Sequence, residues 1–309
     1  MVALMLCACS TDPGGRSPID PAGLVDSVGS IDPADPDGPD APGGPDAPTA
    51  ADPAELERTW RAARVRVPDG VGGAVATDVD ALESGAVVPG GASGDAPGGG
   101  WPVVVWMHGC AGFWSGTDDR LDWLAENGFV AIAPSSLARE VYPRSCDLET
   151  RRSGLHRPTL AMRQRDAGHA VRRARALPWA DPDDVFLAGL SEGAAVATTY
   201  VDPDPPAGRL KARVAESWGC HSGWEEYAGI RAPAGEPVLA LVADLDPWYA
   251  APWHRGDCGA FMGADDGSLS VVVDHEPARR RHELWELPEI RELVLSFLLN
   301  EVRREPPVP

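Results

Sequence analysis

The chain is poor in positive charge and poorest of all in lysine. Its 27 basic residues include a single lysine, Lys211, against 47 acidic residues, for a formal net charge of −20. A surface of that sign repels phosphate backbones, which excludes a nucleic-acid partner. The arginine-for-lysine bias reads as a GC-rich coding preference, not as a binding feature. Apolar runs are short as well. None reaches the about 20 residues that a bilayer-spanning helix needs, so membrane association could come only from an anchor. Internal repeats are missing too. A length of 309 residues suggests one large domain or two small ones.

The first segment, Met1 to Ala8, is apolar and ends in Cys9. It resembles the end of an export signal with a small-residue cleavage site. Leu6-Cys7-Ala8-Cys9 resembles the bacterial lipobox, in which the last cysteine is acylated. The basic residues that normally precede such a core are missing, so either the start codon lies upstream or the match is accidental. The expectation is an exported, cell-envelope lipoprotein anchored through Cys9. Plain secretion and a cytoplasmic protein with a chance apolar run are the alternatives. Residues 10–53 follow, rich in Asp, Pro, Gly and Ala, with nine aspartates and one basic residue, Arg16. Such a stretch has almost nothing to bury against the entropy of ordering and reads as a disordered tether. A similar loop, Pro89 to Gly100, interrupts the folded part.

From 54 to 309 the pattern alternates between strand and helix. Pro102–Met107, Phe129–Ala133, Asp184–Ala188, Arg213–Trp218, Pro237–Ala243 and Leu269–Asp274 read as strands. Asp118–Asn127, Thr159–Leu177, Glu192–Tyr200 and Leu287–Arg304 read as helices. Arg64–Val67 and Ala74–Val79 suit antiparallel edge strands. This alternation predicts one α/β domain with a mostly parallel sheet covered by helices on both faces.

Two motifs carry chemistry. Gly189-Leu190-Ser191-Glu192-Gly193 lies between an apolar strand and a helix, the context in which Gly-x-Ser-x-Gly marks a nucleophile. A serine on that tight turn projects above the sheet, where the helix N-terminus favours negative charge. The second, His108-Gly109-Cys110-Ala111-Gly112, follows the strand ending at Met107. In such folds this loop supplies one oxyanion-hole amide and the residue after the nucleophile supplies the other, here Cys110 and Glu192. His108 reads as structural, beneath the loop.

His-Gly-Cys-x-Gly, then Gly-Phe-Val-x-Ile-Ala-Pro, then Gly-Leu-Ser-Glu-Gly resembles the dienelactone-hydrolase-like branch of the α/β-hydrolase superfamily, across about Trp101 to Glu301. The namesake of that family uses a cysteine nucleophile where this chain has Ser191, so lactone specificity does not transfer. The resemblance implies an acid after the next-to-last core strand and a histidine after the last. Asp246, in Ala243-Asp244-Leu245-Asp246-Pro247, matches the family's Gly-x-x-Asp-Pro better than Asp244 does. His282, ahead of Pro288-Glu289, is preferred over His275. The expected mechanism is a Ser191–His282–Asp246 triad acting on a small-molecule ester without metal or organic cofactor. A catalytically inactive binding lipoprotein is the alternative, and a serine peptidase the alternative among enzymes.

Apart from Cys7 and Cys9, four cysteines remain. In an oxidising compartment they pair most simply as Cys110–Cys146 and Cys220–Cys258. A zinc site from Cys220, His221, His254 and Cys258, or free thiols, are the alternatives. Trp114, Trp218 and Trp248 are placed to line a pocket or to pack its rim.

Overall fold

The computed structural model describes residues 52–91, 99–202, 208–263 and 266–303. The expected signal and lipobox with Cys9, the tether up to residue 51, and most of the 89–100 loop lie outside these residues.

Helix α1 (Pro53–Arg61) opens with Asp52 as N-cap, its carboxylate accepting from the Ala54 amide at 2.9 Å, and with proline in the first turn. This helix includes Pro53, the last residue of the segment read as a tether. Strands β1 (Arg64–Pro68) and β2 (Ala74–Thr77) form an antiparallel pair. Val79, expected in the second of these strands, instead starts α2 (Val79–Glu83), because the Asp78 carboxylate caps the Ala81 amide. Next come β3 (Trp101–Met107), α3 (Ser115–Glu126) and β4 (Val130–Ala133). Helix α3 begins at Ser115 and not at Asp118, with Thr117 bonded back to Trp114. A small hairpin, β5 (Cys146–Asp147) and β6 (Arg152–Ser153), had no sequence signal. The chain closes with α4 (Thr159–Arg175), β7 (Ala180–Leu190), α5 (Glu192–Thr199), β8 (Arg213–Glu216), β9 (Val238–Ala243), β10 (Leu269–Val273) and α6 (Pro288–Arg303). Strand β8 stops at Glu216, two residues short of the expected Trp218, where Ser217 turns to a positive φ of 56°.

The main sheet runs β10-β9-β8-β7-β3-β4-β1-β2. Neighbours from β10 to β4 are parallel, and β1 and β2 add an antiparallel edge. Alternate residues of β3 serve opposite faces. Val103, Val105 and Met107 join a core with α4 and α5, whereas Val104 and Trp106 join one with α3 and α6. Burial on both faces explains why this strand is apolar without alternation. The chain passes from β3 to β4 on one side and to β7 on the other. The ends of β3 and β7 therefore flank a switch point, where open α/β sheets place their ligands.

At the end of β8 the sheet carries a fully buried ion pair. Arg120 Nε and Nη2 reach Glu216 at 2.9 and 2.6 Å. Removing one partner of such a pair leaves an uncompensated buried charge, at a cost of about 3–5 kcal/mol. Arg120→Ala is expected to lose about that much in urea unfolding, with the denaturant slope unchanged.

Candidate active site

Strand β7 ends at Leu190, and Ser191 bends the backbone to φ 57°, ψ −118° before α5 begins. A non-glycine residue there stores strain of about 1–3 kcal/mol. Backbone bonds hold it on both sides. The Ser191 amide donates to Glu216 O at 2.8 Å, and Ser191 O accepts from the Ala195 amide at 3.0 Å. The flanking glycines are a steric requirement. A Cβ on Gly193 would stand 2.1 Å from Met107 O, and one on Gly189 would stand 2.3 Å from the Gly193 backbone. Ser191 is 6 % exposed.

The two acid candidates and the two base candidates separate cleanly. His282 Nδ1 and Asp246 Oδ2 are 2.7 Å apart, with the Asp246 side chain fully buried. Oδ1 of Asp246 accepts from the Trp248 amide at 2.9 Å, an arrangement that begins a short 3₁₀ turn and fixes the carboxylate. Asp244 faces outward to Arg279, 3.0 Å from its Nε. That guanidinium holds the Asp244 carboxyl below its ordinary range. His275 is exposed and lies 3.5 Å from Glu289. The arginines before His282 are all neutralised locally, Arg279 by Asp244, Arg280 by Glu276 and Arg281 by Glu286.

Ser191 and His282 make no direct hydrogen bond, and Tyr249 packs beside the histidine. Its ring lies 5.9 Å from the His282 ring. Its hydroxyl donates to Ser217 O at 2.5 Å. Burial, reinforced by the Asp246 charge, pushes the Tyr249 phenol well up, so it stays protonated. Ser217 Oγ in turn donates to His282 O. Tyr249 escaped the sequence reading, although it stands three residues after Asp246 in Asp-Pro-Trp-Tyr.

The loop after β3 lies against this turn, and a Cβ on Gly109 would stand 3.8 Å from Ser191 Cβ. Two contacts aim its amide. His108 is sealed beneath the loop, and burial, with Arg163 beside it, lowers its pKa to about 3. Its Nε2 accepts from the Ser136 amide at 3.1 Å, so Nδ1 carries the proton and donates to Gly109 O at 2.6 Å. Gly109 O also accepts from the Gly112 amide at 3.1 Å. The peptide is planar and trans, so fixing the Gly109 carbonyl turns the Cys110 N–H the opposite way. Glu192 opens α5, where an amide has no partner within its helix. Among the described residues neither amide has an acceptor.

Both disulfides form, Cys110–Cys146 and Cys220–Cys258, with Cα separations of 5.9 and 5.0 Å. The thiolates that a zinc site would have needed at Cys220 and Cys258 are thereby consumed, and among the described residues no cluster of three or more candidate ligands is present. Trp248 tilts against the His282 ring at 5.4 Å and Trp218 packs edge-on against Tyr249 at 5.9 Å. Trp114 instead caps α3, under the Arg120 guanidinium at 5.5 Å. Among the described residues no helix is long and apolar enough to cross a membrane.

A family profile described as "Dienelactone hydrolase family" matches residues 91–255, over half of the chain. The match includes Cys110, Ser191 and Asp246 and stops before His282. Solved structures similar to the chain include a putative dienelactone hydrolase from Klebsiella pneumoniae, 20 % identical, covering 69 % of this chain and 90 % of its own, with a TM-score of 0.42. A phospholipase/carboxylesterase from Dyadobacter fermentans is 18 % identical over 66 % of this chain and 92 % of its own, TM-score 0.43. Esterase 2 of Thermogutta terrifontis is 16 % identical over 68 % and 87 %, TM-score 0.39. No curated protein matches significantly. The profile match and the sheet order together make the fold an α/β hydrolase.

Holding His108 neutral has a thermodynamic consequence. Its folded pKa lies below the unfolded value, so between pH 6.5 and about 3 the unfolded chain binds the extra proton. Stability from this residue is present above that window and declines as pH falls through it, by up to about 1.4 kcal/mol per pH unit. His108→Gln is expected to flatten the acid side of the stability–pH curve by that slope, measured by denaturant titration at successive pH values.

Proposed function

Because the chain belongs to the dienelactone hydrolase family, we propose that it is a serine hydrolase that cleaves carboxylic esters or lactones through an acyl-enzyme. The observation that carries this reading is the 2.7 Å His282–Asp246 pair beside the strained Ser191 turn. With Nδ1–H donated to Asp246, Nε2 of His282 is left as the acceptor that a general base requires. Ser191 Oγ gives its proton to that nitrogen and bonds to the ester carbonyl carbon, whose π pair moves onto oxygen. The Cys110 and Glu192 amides stabilise that oxyanion. Its collapse breaks the C–O bond, and the departing alkoxide takes the proton from His282. Water then repeats the sequence and frees Ser191. The mechanism requires the Ser191 hydroxyl to reach His282 Nε2 when substrate is bound. Tyr249 stays a phenol and so does not compete for the proton.

The same reading places the protein outside the cytoplasm, held to a membrane only through acylated Cys9. Two disulfides suit an oxidising compartment, and the residues Leu6 to Cys9 have the form of an acylation site. Cys9→Ser is expected to move the protein from the membrane to the soluble fraction on cell fractionation.

Hydrolysis of p-nitrophenyl esters of graded chain length tests the chemistry. Ser191→Ala is expected to lose activity and fluorophosphonate labelling together. Asp246→Asn is expected to lower kcat by about 10⁴-fold, whereas Asp244→Asn stays close to the parent. A fully active Ser191→Ala protein rules the mechanism out.

A further inference from the structure

The two amides proposed to bind the oxyanion come from segments more than 80 residues apart in sequence, at Cys110 and Glu192. Their side-chain and backbone neighbours close a ring around them. Cys110 is bonded to Cys146. Ser145, next in the chain and fully buried, donates to Glu192 Oε2 at 2.6 Å. The same oxygen receives Arg163 Nη1 at 3.1 Å, and Arg163 Nη2 donates to His108 O, two residues before Cys110. Arg163 lies on α4 with its side chain sealed from solvent.

A buried guanidinium and carboxylate repay their desolvation poorly, so such a pair is weak as a source of stability. Its geometry is more informative. One planar fork contacts both donor-bearing segments, which a point charge cannot do over the same distance. We propose that Arg163, with Ser145 and the Cys110–Cys146 bond, is a positioning device that sets the spacing of the Cys110 and Glu192 amides. The inference rests on the serine-hydrolase reading above. Arg163 touches no reacting atom and acts only through Glu192 and His108. The covalent arm also makes the spacing depend on oxidation of Cys110 and Cys146. Loss of that bond frees the loop carrying one donor and the residue, Ser145, that steadies the other.

A device of this kind acts on the transition state and leaves ground-state binding alone. Ser145→Ala, which removes one hydroxyl, is expected to lower kcat about 10-fold, and Arg163→Lys about 10²-fold, the scale of a misplaced catalytic group. KM should stay within about two-fold, since a displaced donor weakens only the transition state. The Ki of phenylboronic acid, which places a tetrahedral anion on the serine, is expected to rise by the same factor as kcat/KM falls. Thermal melts identify any variant that is merely unfolded, and Ser145→Ala carries the test if Arg163→Lys folds poorly. Folded Ser145→Ala with parental kcat and parental boronate Ki overturns the proposal, as does a change confined to KM. Ser191→Ala, run alongside, separates the two levels. If it is dead while Ser145→Ala and Arg163→Lys match the parent, only the positioning role falls; if it remains active, the hydrolase reading falls and takes this inference with it.

Discussion

Glu216 is the constraint through which the candidate site is assembled. Its backbone oxygen receives the Ser191 amide at 2.8 Å, which pins the strained turn to the neighbouring strand. Its side chain accepts the amides of Leu284 and Trp285 at 2.7 and 2.8 Å, the residues just after His282. Arg120 neutralises it from α3. One buried residue therefore ties the Ser191 bend, through its backbone, to the His282 loop, through its side chain. The His282 segment lies in irregular chain between β10 and α6, and the Ser217 hydroxyl on His282 O and the Asp246 carboxylate on its ring add to that link.

The remaining loops are held by different means, according to what their sequences can offer. The Asp246 loop uses its own carboxylate to cap the next turn, so the residue that orients His282 is itself oriented by the Trp248 amide. The loops after β3 and β4 have few apolar anchors and are joined covalently at Cys110–Cys146. Cys220–Cys258 does the same for the loops after β8 and β9. The site thus stands on strand ends, while its loops are fastened at a few points. That arrangement is a general reason such folds tolerate loop change.

Much of this was legible in the sequence because it is local. The Ser191 turn announces itself through Gly189 and Gly193, whose hydrogens fill spaces that no side chain can enter. The strand of Trp101–Met107 is visible because burial on both faces leaves no polar position. Asp246 and His282 came from the family resemblance, and the structure brings the two side chains together; both disulfide pairings followed from the simplest match. What was not legible depends on partners far along the chain. Glu216 meets Arg120 across 96 residues, and Arg163 meets Glu192 across 29. Neither spacing has a periodicity that a linear reading could detect. The β5–β6 hairpin and α2 were missed for the opposite reason. They are too short for any pattern and depend on single caps such as Asp78.

The scarcity of lysine also acquires a structural side that composition alone did not show. Four arginines, Arg120, Arg139, Arg163 and Arg213, are almost completely buried, and each faces a carboxylate. Arg120, Arg163 and Arg213 also use a further nitrogen on backbone oxygen. Arg213, for example, holds Ala197 O and Tyr200 O at the end of α5 at 2.9 and 2.7 Å while paired with Glu236. A lysine offers one nitrogen and is strongly hydrated, so burying it costs more and satisfies fewer groups. A coding bias can supply arginine everywhere on the surface without consequence. In these buried places the planar guanidinium reaches acceptors on separate segments, joining α3 to β8, α4 to the Glu192 turn and α5 to β8.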